Sequence, residues 1–201
     1  MEQIKRTVVF VSLFSIAFSC KFLSSGYTNE YNQFVPKREK FQLKKENGGR
    51  SIPQLDTVNI YRLVEKYYGN DRLFPNEHLS ETDYTKKLFQ QAKMYIMFYS
   101  NGRCLSFSIW SKDSLGNENS LKEQDMNPNS AHYGKDYYYG NTPNSLLIES
   151  FVYAEGDGRY LTFEYFINKD GDTIKMMDGK DLDIYVKELL PKDWKRYPVD
   201  W

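Results

Sequence analysis

The 201-residue sequence contains little cysteine and little histidine, two residues of each. Only His78 and His132 could serve as the base of a nucleophilic triad, and they are not spaced as a metal-binding pair. We therefore expect no metal site, no cofactor and no enzymatic activity. Net charge is missing as well, since 27 acidic residues balance 27 basic ones. A neutral chain argues against a nucleic-acid partner, because phosphate recognition needs clustered lysine and arginine.

The sequence also lacks an apolar run long enough to cross a membrane. Its extended apolar segment, Val8 to Phe18, follows the basic residues Lys5 and Arg6. As a helix this segment spans about 16 Å, roughly half of the hydrocarbon core of a bilayer. A basic start followed by a short apolar run is typical of a secretory signal peptide. We predict that residues 1–19 are this peptide.

The end of this segment carries the most specific motif in the chain. Ala17-Phe18-Ser19-Cys20 resembles the lipobox of bacterial lipoproteins, with Ser19 at the small position and Cys20 at the acceptor. The resemblance implies palmitate or similar acylation of Cys20 and attachment to a membrane in the cell envelope. Lys21 follows Cys20, and by analogy with lipoprotein sorting it implies the outer membrane of a Gram-negative bacterium. A plain secretory peptide and a buried segment with a chance cysteine are the alternatives.

The remaining cysteine, Cys104, has no partner for a disulfide if Cys20 carries lipid. We expect it to be a small, half-buried strand residue, with a reactive thiol as the alternative. Residues 20–55 are rich in charge and have no apolar period, so they predict a flexible, lipid-anchored tether. Residues 56–201 then form a β-rich globular domain.

The β pattern of this domain is clearest in one hairpin. Apolar and polar residues alternate from Met94 to Tyr99 and again from Cys104 to Trp110, with Asn101-Gly102 predicting a tight type I′ turn between them. Further strands are predicted at the following ranges, separated by Gly, Asn and Asp turns: Val58 to Tyr67, His132 to Tyr139, Leu146 to Ala154, Arg159 to Asn168, Thr173 to Met177 and Ile184 to Val186. Neither face of Val58 to Tyr67 is cleanly apolar, so a helix is the alternative there, and its tyrosines and β-branched residues favour the strand. Ser80 and Asp83 indicate one short helical excursion over Leu79 to Lys93.

These strands predict a mainly β fold, an antiparallel meander that forms a curled sheet or a small barrel. The hairpin rhythm, together with Gly134 ahead of a tyrosine-rich strand and the run Leu147-Ile148-Glu149-Ser150-Phe151, resembles small lipocalin-like domains of bacterial lipoproteins. The resemblance carries no active-site motif.

Aromatic residues are the remaining clue to function, at 16% of the chain. Tyr138, Tyr153 and Tyr165 are candidates to line a ligand cup, although core packing is the commoner role of such rings. Glu149 and Glu164 on neighbouring strands could form a carboxylate pair for hydrolysis, although outward-facing acids are commoner. We predict a non-catalytic binding or interaction module with an envelope protein as partner. The alternatives are a carrier of a small hydrophobic ligand and a carboxylate-based hydrolase.

Overall fold

The computed structural model describes residues 26–28, 34–36, 40–46, 52–68, 71–72, 91–128, 133–154 and 157–198. Two short 3-10 helices are η1 (Leu43–Glu46) and η2 (Glu123–Met126). The strands are β1 (Gly26–Thr28), β2 (Phe34–Pro36), β3 (Ile60–Tyr68), β4 (Asp71–Arg72), β5 (Ala92–Phe98), β6 (Arg103–Trp110), β7 (Tyr133–Thr142), β8 (Ser145–Ala154), β9 (Asp157–Ile167), β10 (Thr173–Asp178) and β11 (Asp181–Glu188).

Eight of these strands close into a barrel. The order β3-β5-β6-β7-β8-β9-β10-β11 follows the chain, and β11 pairs with β3 to complete the circle, while β4 pairs with the end of β3. Pairing only between sequence neighbours makes this an up-and-down antiparallel meander, the architecture of lipocalins. The predicted fold class, including the lipocalin-like barrel, is therefore confirmed.

The chain divides into two compact units, Met1–Lys40 with Phe151–Tyr160, and Phe41–Ser150 with Leu161–Trp201. In the first unit, β1 pairs with β2, and the rings of Phe151 and Tyr160 lie 5.0 Å apart. The second unit holds both apolar clusters, together with β3 to β7, β10, β11, residues 145–150 of β8 and residues 161–167 of β9.

Alternation along the strands sends one set of side chains into the barrel lumen and the other set outwards. The lumen cluster comprises Ile52, Tyr61, Leu63, Ile96, Phe98, Cys104, Tyr138, Leu146, Ile148, Tyr165, Ile167, Ile174 and Tyr185. A second buried cluster lies outside the barrel on β5 and β6, where Tyr95, Met97, Leu105, Phe107 and Ile109 are covered by Met126 and by the tail residues Leu190, Trp194 and Tyr197. Both faces of this hairpin are therefore buried.

The hairpin between β5 and β6 is present as predicted, but its turn differs. Gly102 donates to the carbonyl of Tyr99, and Tyr99 donates to the carbonyl of Arg103, which leaves Ser100, Asn101 and Gly102 as a three-residue loop. Gly102 has a φ of 81°, the left-handed value that completes such a loop. The prediction of a two-residue type I′ turn is wrong. Asn-Gly suits the three-residue loop equally well, because that loop also needs a glycine with a positive φ at its third position.

Two other predicted segments lie only partly within the described residues. Within the predicted tether, the side chains of Phe41 and Ile52 are buried, with Phe41 against the ring of Tyr137 and Ile52 in the lumen cluster. The tether boundaries otherwise stay a prediction. The helical excursion over residues 79–93 falls almost wholly outside the described residues, and its last two, Ala92 and Lys93, belong to β5.

Candidate functional site

One end of the lumen is filled by aromatic rings. The ring of Phe98 packs edge-on against Tyr61 and Tyr138, with centroids 5.8 and 5.3 Å apart. The Tyr61 hydroxyl donates to the carbonyl of Gly171, and the Tyr138 hydroxyl donates to the carbonyl of Tyr99. These bonds satisfy the buried phenols, so this end is a packed and closed floor.

The opposite end of the lumen is lined on one side by small residues. The cross-strand pairs of β5 to β8 place Ser106, Ser108, Gly134 and Ser150 on the same face as the lumen residues Cys104 and Tyr138. Met94 on β5, Phe163 on β9 and Met176 on β10 pack on the lumen cluster at this end. Serine and glycine occupy less of the lumen here than the rings of the aromatic floor do. We call this region the lumen mouth.

A buried carboxyl group lies at the base of the lumen mouth. Asp136 on β7 is only 3% exposed, and the hydroxyl of Ser106 donates to its Oδ2 over 2.9 Å. Burial raises the pKa of Asp136 to about 6, and hydrogen bonds from Ser106 and Ser150 oppose that rise only in part. Among the described residues, no basic side chain forms an ion pair with Asp136.

An ion pair joins the adjacent strands β3 and β11 at the lumen mouth. The Lys66 ammonium lies 2.7 and 2.9 Å from the two oxygens of Asp183, its partner in the strand register. Burial raises the pKa of Asp183, and the bond and charge of Lys66 act in the opposite direction. The lumen therefore holds two carboxyl groups with different partners. Asp183 is paired with a cation, whereas Asp136 is hydrogen-bonded to hydroxyl groups.

The tyrosines predicted to line a cup lie at different levels of the barrel. Tyr138 belongs to the aromatic floor, and burial raises the pKa of its hydroxyl to about 12. Tyr165 packs against Tyr185 with ring centroids 6.3 Å apart, and it lies near the charges of both Asp136 and Asp183. Tyr153 lies on β8, but its side chain is outside the described set. Tyr165 is thus the predicted tyrosine that borders the lumen mouth.

The two carboxylates proposed as a hydrolytic pair have separate partners outside the lumen. Glu149 is buried beside Tyr137, and its Oε2 accepts the backbone N–H of Leu43 at the start of η1. Glu164 accepts a hydrogen bond from the side chain of Asn141. An acid–base pair needs two carboxyls that face one substrate. Both carboxylates face outwards from the barrel, but Glu149 is buried and not solvated, because it binds a neighbouring segment.

Cys104 lies in the lumen beside the aromatic floor and has no exposed surface. Burial, and then the charge of Asp136, raises the pKa of its thiol well above the usual value. A neutral, inaccessible thiol is a packing residue rather than a nucleophile.

Several candidates of the sequence analysis, Cys20, His78 and His132, lie outside the described residues. Within the described ranges, no group of three or more His, Cys, Asp or Glu side chains could hold a metal ion. Nor does this part of the chain contain a helix long and apolar enough to span a bilayer.

Outside the barrel, β9 to β11 present an apolar surface that the described residues leave exposed. Phe166, Met177 and Val186 are exposed, and Leu182 and Ile184 on the same face are half-buried. We call these five residues the outer patch. Lys175 lies between Phe166 and Ile184 in the strand register.

Comparisons with known proteins add little to this geometry. No family model matches the chain, and no curated protein matches it. A solved structure described as "As-p18, an extracellular fatty acid binding protein" is similar at 13% identity, over 69% of this chain and 100% of that one, with a TM-score of 0.36. So low a TM-score does not establish that the two proteins share a ligand.

Proposed function

We propose that the protein is a non-catalytic binding protein whose barrel holds a small amphipathic ligand in the lumen mouth. The observation that carries this proposal is the contrast between the two ends of the lumen. One end is filled by Tyr61, Phe98 and Tyr138, whereas the other is lined by serines, a glycine and buried charged groups. Buried charge without a structural cause is costly, so its presence in a lumen favours a binding role.

A variant that fills the lumen mouth tests this function. Ser108 lies on the lumen face of β6, opposite Met94, so Ser108→Phe places a ring where the ligand would lie. We expect native mass spectrometry of the full chain from its own envelope extract to show a bound small molecule, absent from Ser108→Phe. Ser114→Phe, at an exposed loop position, is the control and should keep the ligand. A wild-type chain that carries no small molecule from its native source would contradict the proposal.

The cellular location of the protein is also a proposal. We infer from the lipobox resemblance that Cys20 is acylated and attaches the barrel to a membrane, which Lys21 suggests is the outer membrane. Binding at an envelope membrane suits a barrel that takes up an amphipathic molecule.

Labelled palmitate distinguishes this address from plain secretion, and the second cysteine provides the control. We expect Cys20→Ser to abolish both the label and the membrane fractionation of the chain, whereas Cys104→Ser, at a buried lumen position, should leave both unchanged. Wild-type chain without label would rule out the anchor.

The outer patch favours a second function, docking of an envelope protein. Large exposed apolar patches often mark interaction sites, and the outer patch places three exposed apolar side chains on neighbouring strands. Phe166→Ser with Met177→Ser should release a partner that cross-links to wild-type chain in envelope membranes and should leave the lumen ligand in place. Unchanged cross-linking in the double variant would exclude the patch as the docking surface.

A further inference from the structure

The identity of the groups in the lumen mouth restricts the head group of the ligand. Asp136 is held by the hydroxyls of Ser106 and Ser150 and is buried at the base of the mouth. Hydroxyl donors orient a carboxylate but do not neutralise its charge. Among the described side chains, Asp136 is therefore a lumen carboxyl group whose hydrogen-bond partners are hydroxyl groups and not a cation.

A glycine lies beside this carboxyl group. Gly134 precedes Asp136 by two residues on the same face of β7 and is exposed. A Cβ atom at Gly134 would lie 3.2 Å from Oδ2 of Asp136 and 3.5 Å from Oδ1. Because glycine carries no side chain, no Cβ atom covers the Asp136 carboxyl group at this exposed position, although Asp136 itself is only 3% exposed.

The other charged groups of the mouth disfavour an anionic head group. Lys66 is engaged by both oxygens of Asp183, so an anion would have to compete with a carboxylate already in place. An anion would also meet the charge of Asp136. A cation, by contrast, pairs with Asp136 and leaves the Lys66–Asp183 bond intact.

We propose that the lumen mouth binds the protonated amine of a small alkylamine-type amphiphile, with Asp136 as its counter-ion and the apolar chain against Met94, Phe163 and Met176. This inference rests on the proposed function, since it names the ligand class of the same site. It involves binding alone and no covalent step.

Three probes with the same chain and different heads test the inference: hexylamine, hexanol and hexanoate, titrated calorimetrically into the purified full chain at pH 7.5. We expect hexylamine to bind at least about tenfold more tightly than the other two, as expected for one desolvated charge pair. If hexanol or hexanoate binds as well as hexylamine, the inference fails while the proposed function stands. If none of the three binds, both fail for ligands of this size.

The counter-ion role is tested by Asp136→Asn, which keeps the shape of the side chain and removes its charge. We expect about a tenfold loss of hexylamine affinity and unchanged hexanol affinity, which also shows that the variant is folded. The control is Glu164→Gln, at an outward-facing carboxylate with an amide partner, and it should bind hexylamine as wild type does. Equal hexylamine affinity in Asp136→Asn and wild type would overturn the inference.

The pH profile of the wild-type chain provides a second readout. The titratable groups that interact with Asp136 are Cys104 on β6 and Tyr165 on β9, and Tyr165 in turn lies near Asp183 of the Lys66–Asp183 pair. Cys104 and Tyr165 have pKa values raised by burial and stay neutral between pH 5 and 7.5, and hexylamine stays protonated there. Affinity should rise about tenfold over this range as Asp136 ionises, and Asp136→Asn should abolish the rise. A rise that persists in Asp136→Asn would assign it to Asp183 and contradict the inference.

Discussion

Ser106 and Asp136 face each other across the β6–β7 pair, with the serine hydroxyl 2.9 Å from Oδ2 of the carboxyl group. Their strands are joined by the pairs Cys104↔Asp136 and Ser106↔Gly134, so the bond runs diagonally between lumen-facing positions. A diagonal bond holds the carboxyl group towards the mouth rather than towards the aromatic floor. This orientation is what makes Asp136 the natural contact for a ligand that enters the barrel.

The buried carboxyl group gives the stability of the protein a specific pH dependence. The pKa of Asp136 is raised to about 6 by burial, above its ordinary value of 3.8. Its contribution to stability is therefore complete below about pH 4 and is lost as the pH rises through 6, because the native state resists ionisation. Relative to wild type, Asp136→Asn should gain about 2 kcal/mol between pH 4 and 7. Urea unfolding of both proteins across this range measures the difference, and a difference independent of pH would contradict the prediction.

The ion pair at the lumen mouth should matter more than a similar pair on the surface. The side chains of Lys66 and Asp183 are 17% and 6% exposed, whereas those of Arg62 and Glu188 are 43% and 39% exposed. Lys66→Ala leaves the Asp183 carboxylate buried without its cation, so we expect a loss of about 3 kcal/mol in the free energy of unfolding. Arg62→Ala should lose about 1 kcal/mol or less through its pair.

Double-mutant cycles for the two pairs measure this difference directly. We expect the coupling energy of Lys66 with Asp183 to exceed that of Arg62 with Glu188, because water screens the second pair. Equal coupling energies would mean that the lumen mouth is as well hydrated as the surface.

Alanine substitutions at two glycines with similar backbone angles would distinguish the cost of backbone strain from the cost of a steric clash. Gly171 and Gly179 have φ values of 68° and 62°, so alanine is disfavoured at both. A Cβ atom at Gly171 would lie 2.1 Å from the backbone oxygen of Gln54, whereas at Gly179 it would meet open space. We expect Gly179→Ala to cost about 1 kcal/mol and Gly171→Ala about 3 kcal/mol or more. Thermal and urea unfolding measure both, and similar losses would show that the segment at Gln54 yields without cost.

The strands of the barrel could be predicted because their signals are local. Alternation over a few residues and turn dipeptides such as Asn101-Gly102 and Asp170-Gly171 mark each hairpin, and a chain of hairpins needs no long-range information. Closure of the barrel by β11 and β3 joins residues more than a hundred positions apart, so the sequence allowed either a curled sheet or a barrel.

The face that each strand presents to the lumen was harder to predict. On β6, the apolar set Leu105, Phe107 and Ile109 faces outwards, and the small set with Cys104 and Ser106 faces the lumen. The apolar set is buried by a loop and a tail that lie far away in sequence, which alternation alone cannot reveal. Glu149 is a similar case, since the segment that buries it begins at residue 41.

Asp136 itself was missed, although the sequence holds a signal for it. Aspartate is disfavoured inside strands, and Asp136 stands within a tyrosine-rich one on the same face as Tyr138. A charged residue that stands in a strand against its low strand propensity is a candidate functional residue. The acids predicted from the sequence as a hydrolytic pair, Glu149 and Glu164, are glutamates between aromatic residues, and the structure places both outside the lumen.

The loop between β6 and β7 offers a test of the second apolar cluster. Met126 in η2 is 2% exposed and packs on the outer face of β5 and β6, whereas Leu115 in the same loop is 84% exposed. Met126→Ala leaves a cavity between the loop and the barrel, so we expect a loss of about 3 kcal/mol in the free energy of unfolding. Leu115→Ala should change that free energy by about 0.5 kcal/mol or less, since its side chain is already in water. Urea unfolding of the two variants compares them, and equal effects would mean that the loop does not stabilise the hairpin it covers.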